Sequence, residues 1–538
     1  MLCLHYITRY LRCTHIGLLL LLCVAHVEAA DFADRVQELK KGSYRAKAAV
    51  VAELVKQEHP RLRAILTAML DKQLYFRKAD EVLIIIQKSD AGISQQDAIS
   101  GVDLGLIDKA AIKRIKTNST LRKRIGQALA ILNLAQDDTD VRLQAMEDLM
   151  DGMTPFAAER VHSYLQKEQS KDVRQAMQAA LAIAELEDSD IEIVLAAIKK
   201  LSGNIHPKVR GALQQAKDRH ADLGVHAAID SALQSIQAKL DFFALLEKIF
   251  FGLSLGSILA LAAIGLAITF GVMGVINMAH GELIMLGAYT TYGIQLLLPN
   301  HIELSLLIAI PAAFMVSGLV GVAIERGIIQ FLYGRPLETL LATFGVSLIL
   351  QQSVRTFVSA QNVAVETPQW LSGSWHINSV LSFTYNRLYI FVFALVVFVG
   401  LVLLLKRTAL GLQVRAVSQN RAMAKAVGIR TEWVDALTFG LGSGIAGIAG
   451  VALSQLTNVG PNMGQQYIID SFMVVVFGGV GNLWGTLLSG LTLGVGNKFL
   501  EPVAGAVLAK ILILVFIILF IQKRPRGLFP QKGRAAEN

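Results

Sequence analysis

The 538-residue chain is 53% hydrophobic and only 17% charged, too apolar for a soluble protein of ordinary composition. Its formal net charge of +9 does not point to nucleic acid, because the basic residues are spread over a helical N-terminal region and short loops between apolar runs, where membrane topology accounts for them. Cys3, Cys13 and Cys23 all precede Asp31, so a chain that loses this leader keeps no thiol for a disulfide framework or a cysteine metal site.

In chain order, Arg9 and Arg12 precede the short apolar run Ile16 to Ala25, and Val27, Ala29 and Ala30 follow it. Charge, greasy stretch and small residues in that order predict a signal peptide over 1–30, cleaved after Ala29 or Ala30. From Asp31 to Leu240 apolar residues recur at three- and four-residue intervals, which predicts helices throughout and no strand-rich segment. The words DTDVRLQAMEDL, SKDVRQAMQAAL and HPKVRGALQQA, with a looser HPRLRAILTAML, place Val141, Val173 and Val209 32 and 36 residues apart. That is the period of stacked helical hairpins, so 31–240 is expected to be an exported, HEAT-like helical domain in which Arg142, Arg174 and Arg210 pair with acids or cap carbonyls of the next hairpin.

Residues 241–538 read as a membrane domain, with apolar segments near 248–271, 276–298, 304–325, 338–358, 387–405, 433–457, 468–481, 484–499 and 504–521. The expected fold is therefore an all-α polytopic membrane protein of about eight or nine spans behind the exported helical domain. Arg326 and Arg335, then the basic run from Lys406 to Arg430, then the tail from Lys523 to Arg534 mark alternate connections as cytoplasmic. The connections 299–303, 359–386 and 458–466 are nearly free of Lys and Arg, as exported loops are, which puts the N-terminal domain in the periplasm and the C-terminus in the cytoplasm of an inner-membrane protein.

Within this domain, Ile268 to Tyr289, ITFGVMGVINMAHGELIMLGAY, carries Asn277, His280 and Glu282 amid glycines at a break between two spans. Polar side chains there cost free energy against lipid, so they face protein or a water-filled path. His280 and Glu282 also read as a buried structural pair, whereas the Asn277 amide suits an uncharged polar solute. Val475 to Gly490, VVFGGVGNLWGTLLSG, interrupts a second helix and offers Asn482 as a further path residue. The glycines from Gly440 to Gly450 predict close helix packing. The loop residues 416–428 form a basic, helix-forming insertion ended by Gly428.

These segments, with RPLETLLATFGVSLILQQ at Arg335 to Gln352 and RTALGLQVRAVSQNRAMAKAVGI at Arg407 to Ile429, resemble the branched-chain amino-acid permease family of ATP-driven importers, and most closely its urea-permease branch. The resemblance covers Phe242 to the C-terminus. It implies a coupling loop that docks on a separate ATP-hydrolysing subunit, carried onto Ala416, Arg421, Ala424, Ala426 and Gly428, although no glutamate precedes them as in the commoner form of that loop. It also implies a second homologous permease in a heterodimer, a periplasmic substrate-binding protein and surrounding membrane lipid, with no cofactor, no metal and no catalytic residue of its own. The sequence has no GxxxxGK[ST] phosphate loop, in keeping with a separate ATPase. The leading expectation is a urea permease; a branched-chain amino-acid or short-amide permease is the alternative within the family, and an uncoupled urea channel a remote one. A sensory receptor fits poorly, because a receptor requires an output domain and only a basic stretch follows Ile521.

Overall fold

The computed structural model describes residues 32–57, 59–89 and 92–529; the expected signal peptide and the basic positions Lys532 and Arg534 lie outside them. The chain divides into two compact units, Met1–Lys239 and Leu240–Asn538.

In the first unit, α1 (Tyr44–Lys56) starts where the Ser43 hydroxyl accepts the Ala46 N–H, and α2 (Leu62–Leu70) follows. The chain then forms strands, contrary to the expectation of helices throughout: β1 (Leu74–Arg77), β2 (Leu83–Ser89), β3 (Gly92–Asp97), β4 (Asp103–Leu106) and β5 (Ile112–Arg114). They make one antiparallel sheet in the order β4-β3-β2-β1-β5. The physical reason lies in Leu83 to Ile86. Leu83 and Ile85 join the core with the helices, whereas Ile84 and Ile86 join Ile112 in a separate cluster. A strand apolar on both faces shows no alternation, so periodicity does not separate it from a buried helix. The Asp97 carboxylate ends β3 by accepting the Ile99 and Ser100 N–H groups at 3.0 and 2.7 Å.

The rest of this unit is helical: α3 (Ser119–Asn133), α4 (Thr139–Leu149), α5 (Pro155–Leu165), α6 (Lys171–Glu185), α7 (Ile191–Leu201) and α8 (Pro207–Arg219). The recurring word falls at the starts of α4, α6 and α8, where Asp138, Ser170 and His206 hold the N-cap positions. Val173 and Val209 are fully buried and Val141 half-buried. Arg142 forks onto Glu168, Nε to Oε2 at 2.8 Å and Nη2 to Oε1 at 2.9 Å, and Arg174 donates to the Glu168 carbonyl at 2.5 Å. Glu168 thus joins the start of α4 to the start of α6; Arg210 is exposed.

The Arg142 hydrogen bond holds the Glu168 carboxyl below its usual range, against burial, which acts the other way. A carboxyl more acidic in the folded than in the unfolded chain stabilises the fold above about pH 4.5, the usual glutamate value, and that stabilisation disappears as pH falls through the folded value. We expect Arg142→Ala to cost about 1.5–3 kcal/mol of stability in this unit at neutral pH. Unfolding followed by hydrogen exchange should show the deficit shrinking below pH 4; an equal deficit at pH 3 and pH 7 would contradict it.

The helix α9 (Leu223–Met273) begins in the first unit and ends in the second. The second unit continues with α10 (His280–Leu297), α11 (Ile302–Gly327), α12 (Pro336–Phe357), α13 (Tyr385–Arg407), the short α14 (Ala409–Gln419) and α15 (Arg421–Ala426), then α16 (Thr431–Ser454), α17 (Met463–Gly478), α18 (Leu483–Ala504) and α19 (Ala506–Lys523). A small hairpin pairs β6 (Ser374–His376) with β7 (Ser382–Thr384). The protein is mostly helical, and among the described residues six helices, α9, α11, α12, α13, α16 and α19, are long and apolar enough to cross a membrane. The other three segments expected as spans form α10, α17 and α18. At 16 residues, α17 is about 24 Å long, short of a hydrocarbon core of about 30 Å.

The core of this unit is α10, packed among α11, α16 and α17. A Cβ on Gly281 would strike the Gly464 backbone, and one on Gly287 the Gly447 backbone, so the helix axes approach as closely as glycine allows. The poorly charged connections meet one another: Val363 bridges Val459, Gln295 exchanges two hydrogen bonds with Glu366, and Arg355 reaches Asn462 at 2.6 Å. The first two basic connections meet each other, with Arg326 over the Trp433 ring and Arg421 over the Tyr333 ring, while the 528–529 backbone is bonded to Phe477 and Gly478.

Candidate functional site

The break before α10 is built by Gly274, whose φ of +64° is left-handed, and by Asn277. The Asn277 Oδ1 accepts the Ala279 N–H at 3.0 Å, while Thr343 of α12 accepts the Met278 N–H at 3.1 Å. Asn277, His280 and Glu282 are each at most 1% exposed. His280 donates from Nε2 to the Ala262 carbonyl of α9 at 2.8 Å, and the Glu282 Oε1 accepts from the Ser347 hydroxyl of α12 at 3.1 Å. The two side chains therefore bond to different helices, and among the described residues no ion pair joins them, unlike the pair the sequence suggested. Asn277 Nδ2, His280 Nδ1 and Glu282 Oε2 are buried without a protein partner. Glu282 Oε2 lies where α10 crosses α17, 2.7 Å from the position a Cβ on Gly464 would take. Three unsatisfied polar atoms within six residues are costly inside apolar packing.

Asn482 is placed differently. Its Oδ1 caps α18 at the Gly485 N–H, 3.1 Å, and its Nδ2 donates to the Phe529 carbonyl at 3.2 Å. One end of the amide caps α18 and the other holds the C-terminal segment, and no hydrogen bond connects it to Asn277, His280 or Glu282. The last turn of α9 touches this second break, where Gly271 packs on the Gly481 Cα.

The loop after α13 holds the second part of the site. Ala424 is buried with Val414, Val417 and Val434, while Ala426 is exposed and Ala416 half-buried. Arg421 forks onto Asp435 of α16, with Nη1 3.3 Å from Oδ1 and Nη2 on Oδ2, and lies 3.9 Å over the Tyr333 ring. Burial opposes the Arg421 charge more than any one contact favours it, but the hydrogen bond and charge of Asp435 together with Tyr333 outweigh it and raise the guanidinium pKa. Burial also pushes the Tyr333 phenol above its ordinary range, so a neutral ring faces a permanent cation. The sequence reading missed Asp435 and Tyr333, along with the buried Glu325 of α11 and the Asp470–Lys510 pair of α17 and α19 at 2.8 Å. Lone charges inside apolar runs were the available signal for Glu325, Asp435, Asp470 and Lys510.

Gly428 ends α15 at φ +91°. The Ile429 N–H reaches the Ala424 carbonyl and the Gly428 N–H the Lys425 carbonyl, at 3.0 and 3.1 Å, which is the paired Schellman termination that favours glycine. A Cβ there meets nothing within 4 Å, so Gly428→Val acts through backbone strain, about 1–2 kcal/mol. We expect it to fray α15 and leave the spans intact, which hydrogen exchange over 420–430 would detect; unchanged protection there would refute the strain argument.

With this geometry in place, the comparisons with known proteins decide the family. A family model described as the branched-chain amino acid transport system / permease component matches residues 248–521. The chain belongs to that family. It is 32% identical over 292 residues to the high-affinity branched-chain amino acid transport system permease protein BraD of Pseudomonas aeruginosa, covering 53% of this chain and 95% of that protein. It is 30% identical over 297 residues to the LivH permease protein of Salmonella typhimurium, covering 53% of this chain and 96% of that protein. The ribose import permease protein RbsC of Escherichia coli is 23% identical over 287 residues, covering 49% of this chain and 80% of that protein. No solved structure matches. The turn of Asn277, His280 and Glu282 and the Arg421–Asp435 loop both lie inside the matched range.

Proposed function

We propose that this permease forms the translocation path of an ATP-driven importer. It receives a small polar solute from a periplasmic binding protein and passes it by the turn of Asn277, His280 and Glu282. The observation that carries the reading is three buried, unsatisfied polar atoms, one in the break before α10 and two on its first turn, where that helix packs through glycines against α16 and α17, inside a chain of a permease family. A separate ATPase docks on 416–428, where Met423 and Val427 stand exposed beside Lys425, and a second homologous permease completes the membrane unit. The helices from Thr139 to Arg219 serve as a HEAT-like part of a periplasmic scaffold, supported by the recurrence of one word at the starts of α4, α6 and α8. The grouping of the poorly charged connections apart from the basic ones supports a cytoplasmic C-terminus. A reporter in 361–370 should then be periplasmic and one in 413–422 cytoplasmic; the opposite pattern would reverse the orientation.

The substrate we propose is a branched-chain amino acid, as the names of BraD and LivH support. Urea is the second reading. It is favoured by the extent of the alignments, which take in nearly all of those relatives but only 53% of this chain, and by the resemblance of the Ile268 to Tyr289 motif to the urea branch. Transport into vesicles holding the full complex and its binding protein separates the two. Labelled leucine accumulating with ATP supports the first, labelled urea the second, and solute flux that persists without nucleotide overturns energy coupling.

A further inference from the structure

The first unit contains a cleft of 830 Å³ between α1, α3 and the start of α5, and neither the permease family nor the proposed transport path uses it. Its floor is apolar, built from Val51, Val55, Leu121, Ala128 and Ile131, with Phe156 at one end. Val51 and Leu121 are each 1% exposed, so the floor is recessed. A protein partner needs about 800 Å² of contact on each side, which a recessed floor does not offer; a volume of this size falls within the range of small-molecule sites, about 300–1,000 Å³.

The polar lining has one sign. Arg45, Lys56 and Arg124 line the cleft, and among the described residues that line it there is no aspartate or glutamate. Lys56 is partnered by Glu53 at 3.0 Å. Arg124 donates to the neutral Gln127 amide, at 3.3 Å, and among the described residues no carboxylate lies within ion-pair distance of Arg45. Three helices begin at the cleft, through Tyr44, Asn118 and Thr154, but α1 also ends there at Val55 and Lys56, so the helix dipoles offset one another and the basic side chains set the sign of the lining.

We propose that this cleft is a binding site for a small organic anion: a carboxylate held by Arg45 and Arg124, with an apolar body lying on the Val51–Leu121 floor. Each guanidinium suits a planar carboxylate through two-point hydrogen bonding, while the recessed floor selects against small inorganic anions, which have no apolar surface to bury.

The test uses the full chain in phosphatidylcholine nanodiscs, with 2-naphthoate as probe and its uncharged isostere 2-naphthamide as control. Hydrogen exchange is measured by peptide and free ligand by dialysis. Naphthoate should slow exchange in 44–56 and 119–131 at concentrations at least tenfold below those naphthamide requires. The variant Arg45→Glu/Arg124→Glu should weaken the naphthoate effect at least tenfold. Because reversing two charges can disturb folding, a second variant, Ala52→Trp, fills the cleft from an exposed position and keeps both arginines; it should abolish protection by naphthoate. Equal potency of acid and amide, no protection by either, or protection that survives Ala52→Trp would each overturn the proposal.

Discussion

Gly287→Val is expected to prevent the second unit from reaching a stable fold, at a cost of at least about 3 kcal/mol, the upper range for overpacking a core. The reason is the identity of the neighbour. A Cβ on Gly287 overlaps the Gly447 carbonyl oxygen and Cα, and backbone inside a packed helix cannot rotate away as a side chain can. Gly447 has no room to retreat, because a Cβ on it would already lie 2.5 Å from the Ala313 carbonyl oxygen of α11. Gly293, two turns along the same helix, meets nothing within 4 Å, so Gly293→Val is the matched control and should leave stability within about 0.5 kcal/mol. Thermal unfolding in detergent decides the matter. Equal midpoints for the two variants would mean that α10 and α16 are not in close contact.

Much of this arrangement is legible in the amino-acid sequence. The small residues from Gly440 to Gly450 announce a close helix contact, and Asn277, His280 and Glu282 announce a break, because both are departures from an apolar background. What the sequence does not carry is which surfaces meet. Nothing in the spacing of Gly281 and Gly287 names Gly464 and Gly447 as their partners, and nothing in His280 distinguishes a bond to Glu282 from the bond to Ala262 that it makes. The sheet of the first unit is hidden for a different reason. Leu83 to Ile86 is buried on both faces, and the alternation that identifies a strand exists only when one face is wet. Asn482 illustrates a third limit, since an amide at a helix break reads equally as a path residue and as a cap, and its two hydrogen bonds make it a cap that also holds Phe529.

Arg421 stands out in the sequence by its place in a basic loop, but its consequence follows from Asp435. That carboxylate is 1% exposed at the first turns of α16, the helix whose glycines Gly447 and Gly450 bear on α10. If an ATPase docks on α15 as proposed, a push there passes to α16 through the Arg421–Asp435 fork, and α16 bears on α10 at Ile284 and Gly287. Asp435→Ala leaves the half-buried Arg421 without its carboxylate, at a cost of about 3 kcal/mol, the low end for breaking a buried pair. If the pair acts as a unit, Arg421→Ala costs as much, and the double variant costs no more than either alone. Function adds what stability cannot show. In the assembled importer, each single variant should still insert and bind its ATPase, while the stimulation of ATP hydrolysis by loaded binding protein and the import of solute both fall at least tenfold. Basal hydrolysis should stay unchanged, since the loss lies in coupling between distant sites rather than in either site. Arg421→Lys keeps the charge but loses the fork and the flat stack on Tyr333, so it should recover folding without recovering stimulation. Full stimulation in Asp435→Ala would show that the Arg421–Asp435 pair does not carry the coupling.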